Sequence, residues 1–380
     1  MYFLGFENNK DIDSETLYNK GEEPKISKPY DPLKVDILPQ TLSIQAVVDR
    51  LENKEIDLEP DFQRRKDLWS EKEQSRLIES ILIRIPLPAF YFDGRNDDCW
   101  TVVDGLQRIS TINNFVVRKS EDEFKLKLTD LEYLVEFNGK TFEELPRPMQ
   151  RRIRECQIYC YCIRGGTPDD VTSSIFKRLN TGGLPLSLAE IRNAVYRGVA
   201  SNLVRQMAES KYFTNATRNK IHTDRMEDRD FATRFLAFYV LGYEKYTGDM
   251  NAFLEEGMSF VKNNLDEQQC NQLLKKFEES MFVCYSLFDK NSFRKMSKNG
   301  KFGPLNKSLF ESLSASVAKL NHTEQNLLMN NQEIVMEEFK KLFATKFYDS
   351  ITSATGTIEH VRDRYEILFE FFAKLLKRFS

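Results

Sequence analysis

The stretch Trp100–Ile112, W-T-V-V-D-G-L-Q-R-I-S-T-I, decides how the chain is read. Thr101, Val102 and Val103 form a short apolar run suited to a strand, Asp104-Gly105 interrupts it, and Leu106, Ile109 and Ile112 recur at helical spacing. The spacing predicts a strand, a charged turn and a helix. Backbone N–H groups at the start of such a helix lack intrahelical acceptors, so an anion at the turn is stabilised by those donors and by the helix dipole. Arg108, in the first helical turn, adds a planar and permanently charged fork for a phosphate. Asp104, at the strand end, supplies a carboxylate that can bind a magnesium ion or orient a water. A plainer reading stays open on spacing alone: Asp-Gly is a common tight-turn dipeptide, and Arg108 can snorkel from an ordinary helix.

Length and composition set the frame around this turn. At 380 residues the chain exceeds the usual size of a single core, so two domains are expected. Lys and Arg number 55 against 58 acidic residues, for a formal net charge of −3, which excludes the strongly basic profile of a DNA coat protein and leaves room only for a local basic patch. The six cysteines include Cys160 and Cys162, which alternate inside a strand-like run, so neither a disulfide framework nor a zinc site is indicated, and reduced cytoplasmic thiols are expected. The first ten residues are too poor in apolar side chains for a signal peptide, and Ile81–Phe92 is interrupted by Arg84 and two prolines. A soluble cytoplasmic protein without a membrane segment is the expectation.

Residues 1–40 are polar and carry Pro24, Pro29, Pro32 and Pro39, which suggests an extended arm. Ile44, Val47, Val48 and Leu51 then mark an amphipathic helix. Ser70 and Glu73 form a capping box for a helix that should bury Leu77, Ile78, Ile81, Leu82 and Ile85 and stop at Pro86. Ala89–Phe92 and Cys99–Val103 read as a hairpin leading into the central turn, Phe124–Phe142 as further short strands, and Gln157–Ile163 as a strand of a mixed sheet. Between the last two lies the densest basic run, Arg147–Arg154, read as a solvated helix face or as phosphate contacts through Arg151 and Arg152. Thr167-Pro168-Asp169-Asp170 starts another helix, which ends at Gly182-Gly183, and Ser187 with Glu190 forms a second capping box. Asn180 and Thr181, in the loop between these helices, can hydrogen-bond a ligand or belong to a plain helical hairpin. From Asp228 the pattern is helical, with aromatic stripes read as core, and Asn291–Asn306 reads as a mobile loop.

These motifs together resemble the GmrSD-type N-terminal domain family, also called domain-of-unknown-function family 262. The resemblance rests on P-D-F-Q-R at Pro60–Arg64 followed by Trp69, and on L-I-E-S-I-L-I-R-I-P-L-P at Leu77–Pro88. It rests further on V-V-D-G-L-Q-R-I-S-T-I at Val102–Ile112 and on F-K-R-L-N-T-G-G-L-P-L-S-L-A-E-I-R-N-A at Phe176–Ala194. The resemblance implies an α+β protein: a ParB/sulfiredoxin-like α/β domain with a small mixed sheet over residues 41–200, followed by a mostly helical domain over residues 201–380. It implies binding and hydrolysis of a nucleoside triphosphate with Mg2+ by Asp104, Gly105, Gln107 and Arg108, with Gln63 and Arg64 as a second wall. It also implies a role in bacterial defence against modified or foreign DNA, with DNA or a further defence protein as partner. Leu106 stands where many members have a second glutamine, which bears on nucleotide preference more than on phosphate binding. His222, His322 and His360 are far apart, so the HNH-type nuclease module fused to some members is not expected here. Three functions follow: a nucleotide-hydrolysing switch, a nuclease in which Asp104 and Asp61 hold a metal over a DNA phosphate, and a binding module whose arginines only grip phosphates.

Overall fold

Ile44, Val47, Val48 and Leu51 all turn inward on helix α1 (Ile44–Glu52), which starts where Ser43 accepts the Ala46 N–H at 3.2 Å. The computed structural model of the chain describes residues 11–13, 17, 34–58, 69–118, 125–179, 187–223, 225–297 and 299–380. Strand β1 (Ile37–Ser43) leads into α1, and β2 (Ile56–Asp57) follows it. Residues 37–40, read from sequence as part of the arm, are thus a sheet strand. It is an edge strand, where Pro39 removes no ladder donor from an inner neighbour.

Helix α2 (Glu71–Leu82) opens with the Ser70–Glu73 capping box expected from sequence. It ends earlier than expected: Arg84 adopts the left-handed region (φ 65°), and the Ile85 N–H closes back on Ser80 O at 2.8 Å. Ile85 is therefore 51% exposed rather than buried, because the residue before Pro86 is steered away from helical geometry. Strands β3 (Phe90–Asp93) and β4 (Trp100–Asp104) form the expected antiparallel hairpin, and α3 (Leu106–Ile112) follows β4 directly and continues as a π-turn over Asn113–Val117. Helix α4 (Arg147–Glu155) runs into β5 (Gln157–Ile163), and α5 (Asp169–Leu179) completes this region.

The five strands form one mixed sheet in the order β1-β5-β3-β4-β2. β1 runs antiparallel to β5, β5 parallel to β3, β3 antiparallel to β4, and β4 parallel to β2. One face is core: Phe90, Phe92, Val102, Ile158 and Cys160 pack with Ile78, Ile81, Ile109, Ile112 and Ile153 of the helices. The other face of β5 presents Gln157, Tyr159 and Tyr161 to solvent, as the strict alternation of burial along that strand requires.

The strands expected over Phe124–Phe142 are absent from its described part, residues 125–142, which holds only a 3-10 turn, Val135–Phe137. Leu126, Leu128, Leu131, Phe137 and Phe142 are buried, as the alternation suggested, but side chains of α2 take the backbone donors instead of a neighbouring strand. Glu79 accepts the N–H groups of Glu132, Tyr133 and Leu134 at 3.1, 2.7 and 3.0 Å, and Ser75 accepts that of Thr129 at 3.0 Å. Burial alone would raise the Glu79 carboxyl, but these donors and Arg76 hold it below the usual carboxylate range.

The chain divides into two compact units, Tyr30–Leu186 and Ser187–Ser380 with Met1–Pro29. The sequence reading set its division near residue 200, behind α6 (Leu188–Val195). The second unit is largely helical: α7 (Val199–Glu209), α8 (Lys211–Ala216), α9 (Glu227–Leu241), α10 (Met250–Asn264) and α11 (Glu267–Phe288) follow. A small hairpin, β6 (Arg294–Met296) with β7 (Phe302–Leu305), stands where a mobile loop was expected. Phe293 and Leu305 are fully buried at its base, and Ile12 pairs with Leu305, so apolar anchors order this polar segment. Helices α12 (Lys307–Ala318), α13 (His322–Asn330), α14 (Gln332–Leu342), α15 (Lys346–Ser350) and α16 (Ile358–Phe379) complete the unit. The protein is thus α+β, a five-stranded mixed sheet with helices followed by a largely helical region.

Phe231, Phe235 and Phe238 of α9 are buried as expected, but the same helix also buries charge. Asp230 pairs with Arg192 and Lys307, and Arg234 and Arg364 both bind the fully buried Glu311. Burial alone would raise the Asp230 carboxyl, yet Lys307, Arg192 and Arg234 outweigh it and hold the group far below the usual range. Because the folded value lies below the unfolded one, this contribution is complete above the unfolded value of about 4 and fades as the pH falls below it. Asp230→Asn is expected to cost about 3 kcal/mol near neutrality, with the gap from wild type narrowing in acid. Denaturant titrations of both proteins across that range check this; a gap independent of pH would contradict it.

Candidate functional site

The turn Asp104–Arg108 is built by a glycine that no other residue can replace without rearrangement. Gly105 caps α3 at φ 98°, a left-handed conformation that side chains rarely adopt. A Cβ there would lie 2.6 Å from Cδ1 of Phe90 and 3.1 Å from Nη2 of Arg108. The chain therefore crosses tightly over the Phe90 ring, and the two charged residues of the motif meet on one side of it.

Arg108 is only 9% exposed, and its fork is engaged within the chain. Nη1 donates to the Pro88 carbonyl, while Nη2 donates to Ala89 O at 3.2 Å and to Asp104 Oδ2 at 3.0 Å. The guanidinium lies 4.2 Å from the centre of the Phe90 ring. Burial pushes its pKa down and Asp104 opposes that shift. Where the sequence reading aimed this fork at a phosphate, the structure turns it on the backbone entering β3 and on the motif's own carboxylate. Asp104 remains accessible, with its side chain 40% exposed, and is held in one orientation by Arg108.

Gln107 ties the turn to a second segment. Its Oε1 accepts the Trp69 N–H at 3.3 Å, and Gln74 Nε2 donates to Trp69 O at 3.0 Å. Gln74 Oε1 in turn accepts from Asn114 Nδ2 at 3.1 Å. Trp69 closes the P-D-F-Q-R segment, and Leu58, at its other end, follows β2, which pairs with β4. Both ends of that segment pack against the core beneath the turn. Gln63 and Arg64 within it, together with Asp61, lie outside the described residues, as do Asn180 and Thr181.

A neighbour that sequence reasoning missed is Tyr91. It is the sheet partner of Asp104, and its ring stacks on Tyr161 with centroids 5.0 Å apart and planes 15° apart. Burial raises the Tyr91 hydroxyl pKa, and Tyr161 and Asp104 raise it further. The alternation Tyr159, Cys160, Tyr161, Cys162 signals a tyrosine face, but only the strand order puts that face next to Asp104.

The basic run separates into two roles. Arg152 donates to Leu82 O at 2.9 Å, closing the C-terminus of α2, whereas Arg147, Arg151 and Arg154 are exposed. The cysteines form no disulfide. Among the described residues there is no cluster of three or more potential metal-ligating side chains, and no helix is long and apolar enough to cross a membrane. His360 donates from Nδ1 to Ser353 O at 2.6 Å, a structural contact within the second unit.

Comparison with curated proteins and with solved structures gave no match. Residues 46–197 match the family model described as GmrSD restriction endonuclease, N-terminal domain, a span that includes the whole D-G-L-Q-R turn and the Trp69 contact to it. Over this segment the chain is similar to the GmrSD restriction endonuclease N-terminal domain.

Proposed function

We propose that the first unit binds and hydrolyses a nucleoside triphosphate at the D-G-L-Q-R turn, acting as the sensor of a bacterial restriction or anti-phage system. The observation that carries this reading is the accessible Asp104 carboxylate at the end of β4, locked by Arg108 inside a segment that matches the GmrSD restriction endonuclease N-terminal domain model. Magnesium suits such a donor set, because it commonly takes one or two protein carboxylates, with substrate phosphates and waters completing its shell. Asp104 would hold the ion, which supplies charge neutralisation at the phosphates. Gln107 would orient water or a phosphate oxygen; Gln63 and Arg64, which the family resemblance makes a second wall, lie outside the described residues.

A nuclease working through this turn would need a second carboxylate converging with Asp104, the role given to Asp61, which lies outside the described residues. The helical second unit then relays the nucleotide state to DNA or to a partner defence protein. Phosphate release from each of the four ribonucleoside triphosphates with magnesium, with Asp104→Asn as control, tests the reading. Turnover reduced at least a hundredfold by the substitution is expected, on the scale of losing a principal charge-stabilising group. Equal turnover in both proteins would overturn it.

A further inference from the structure

We propose that the solvent face of the mixed sheet is a path for single-stranded nucleic acid, running from an arginine-lined groove at the start of β5 across Tyr159 to the Tyr161–Tyr91 pair. The groove, of about 480 Å³, is lined by Arg147, Arg151 and Arg154 of α4, with Glu155 as its one acidic residue, and by Ser43 and Gln157. Ser43 and Gln157 are paired across β1 and β5, so the groove opens at the end of the ladder whose next exposed members are Thr41 with Tyr159 and Pro39 with Tyr161. Tyr91 lies beside Tyr161 on β3 and stacks on it. A basic grip and a row of aromatic rings therefore share one continuous strip.

Charge and geometry favour this occupant over an apolar one. The three arginines have no carboxylate within ion-pair distance among the described residues, while the chain as a whole is slightly acidic. Arg147 makes only a long contact to Gln150 Oε1 at 3.5 Å, and Arg154 rests 5.2 Å from the Phe142 ring centre. Tyr159 is 68% exposed and Tyr161 37% exposed, an unusual amount of aromatic surface to leave in water on a sheet. Alternate residues of a strand stand about 6.6 Å apart on one face, so successive rings offer platforms to successive bases of an extended strand. A duplex hides its base faces, and the platform would be useless to it. Every base has a π-face, so the path is tolerant of sequence, and its grip on phosphates is salt-dependent. No residue of the D-G-L-Q-R turn is needed for this contact, so it stands apart from the nucleotide reading.

The experiment is an anisotropy titration of a labelled oligothymidylate with the full chain at several salt concentrations, without nucleotide. Wild type is expected to bind the single strand more tightly than a duplex of equal length. Tyr159→Ala should weaken binding roughly tenfold or more, while Tyr159→Phe, which keeps the ring, stays within about twofold. Arg151→Ala should weaken binding and lower the salt slope by about one. These side chains are exposed, so circular dichroism of each variant should match wild type. Absence of single-strand binding would overturn the proposal. So would wild-type affinity in both Tyr159→Ala and Arg151→Ala, or tighter binding of duplex that is indifferent to Tyr159.

Discussion

Glu311→Ala is expected to lower the unfolding free energy of the helical unit by about 3–5 kcal/mol, the scale for removing one partner of a buried charge network. Glu311 has no exposure, and its two oxygens are divided between Arg364 and Arg234, the latter at 2.7 Å. Arg364 is also fully buried, and its other nitrogen donates to Thr355 O at 2.6 Å and Ser350 O at 3.2 Å. Those carbonyls hold the guanidinium in place, so it cannot swing into water when its counter-charge is removed. The substitution therefore leaves two buried cations with one fewer anion, in a region where Asp230 already serves Arg192 and Lys307. Denaturant unfolding followed by far-ultraviolet circular dichroism, dominated by the helical unit, measures the loss. A change below about 1 kcal/mol would contradict the buried-network account.

Gly105→Ala is expected to destabilise the first unit by about 2–4 kcal/mol and to abolish whatever the turn binds. Two separate costs combine. The left-handed conformation at φ 98° opposes a side chain, and the added Cβ would approach Phe90 to 2.6 Å. Phe90 is fully buried between the sheet and its helices, so it has little room to yield. Relief must come from Arg108, whose displacement frees the carbonyls of Pro88 and Ala89 and the Asp104 carboxylate together. Trp69 and Trp100, the two tryptophans of the chain, both belong to this unit, so the transition in tryptophan fluorescence reports it selectively. An unchanged midpoint would mean that the turn relaxes cheaply and that its tight crossing is not a constraint.

Much of the fold was legible because its signals are local. The capping boxes at Ser70 and Ser187, the α1 stripe and the strand Gln157–Ile163 each follow from spacing within about ten residues. The segment after α3 misled because alternating burial of Leu126 and Leu128 imitates a strand, while the decisive acceptor, Glu79, lies more than fifty positions away. Arg84 ended α2 early through a left-handed residue that carries no glycine to announce it. At the site, Asp104 and Gly105 were legible from the break between strand and helix. The inward turn of Arg108 was not, since a guanidinium satisfied by backbone carbonyls and one aimed at solvent have the same sequence. Arg151 and Arg152 likewise look equivalent in the chain, yet one is exposed and the other closes α2, a difference set by helix packing.

The nucleotide reading turns on Asp104, and the most direct measurement is equilibrium binding by calorimetry. Each magnesium–nucleoside triphosphate would be titrated into wild type and Asp104→Ala, with circular dichroism confirming that the fold of the variant is intact. The account expects saturable binding of at least one nucleotide to wild type, lost or weakened at least tenfold in the variant and on removal of magnesium. Nucleotide binding that is unchanged without the Asp104 carboxylate, or no binding to wild type at all, would contradict the turn as the nucleotide site.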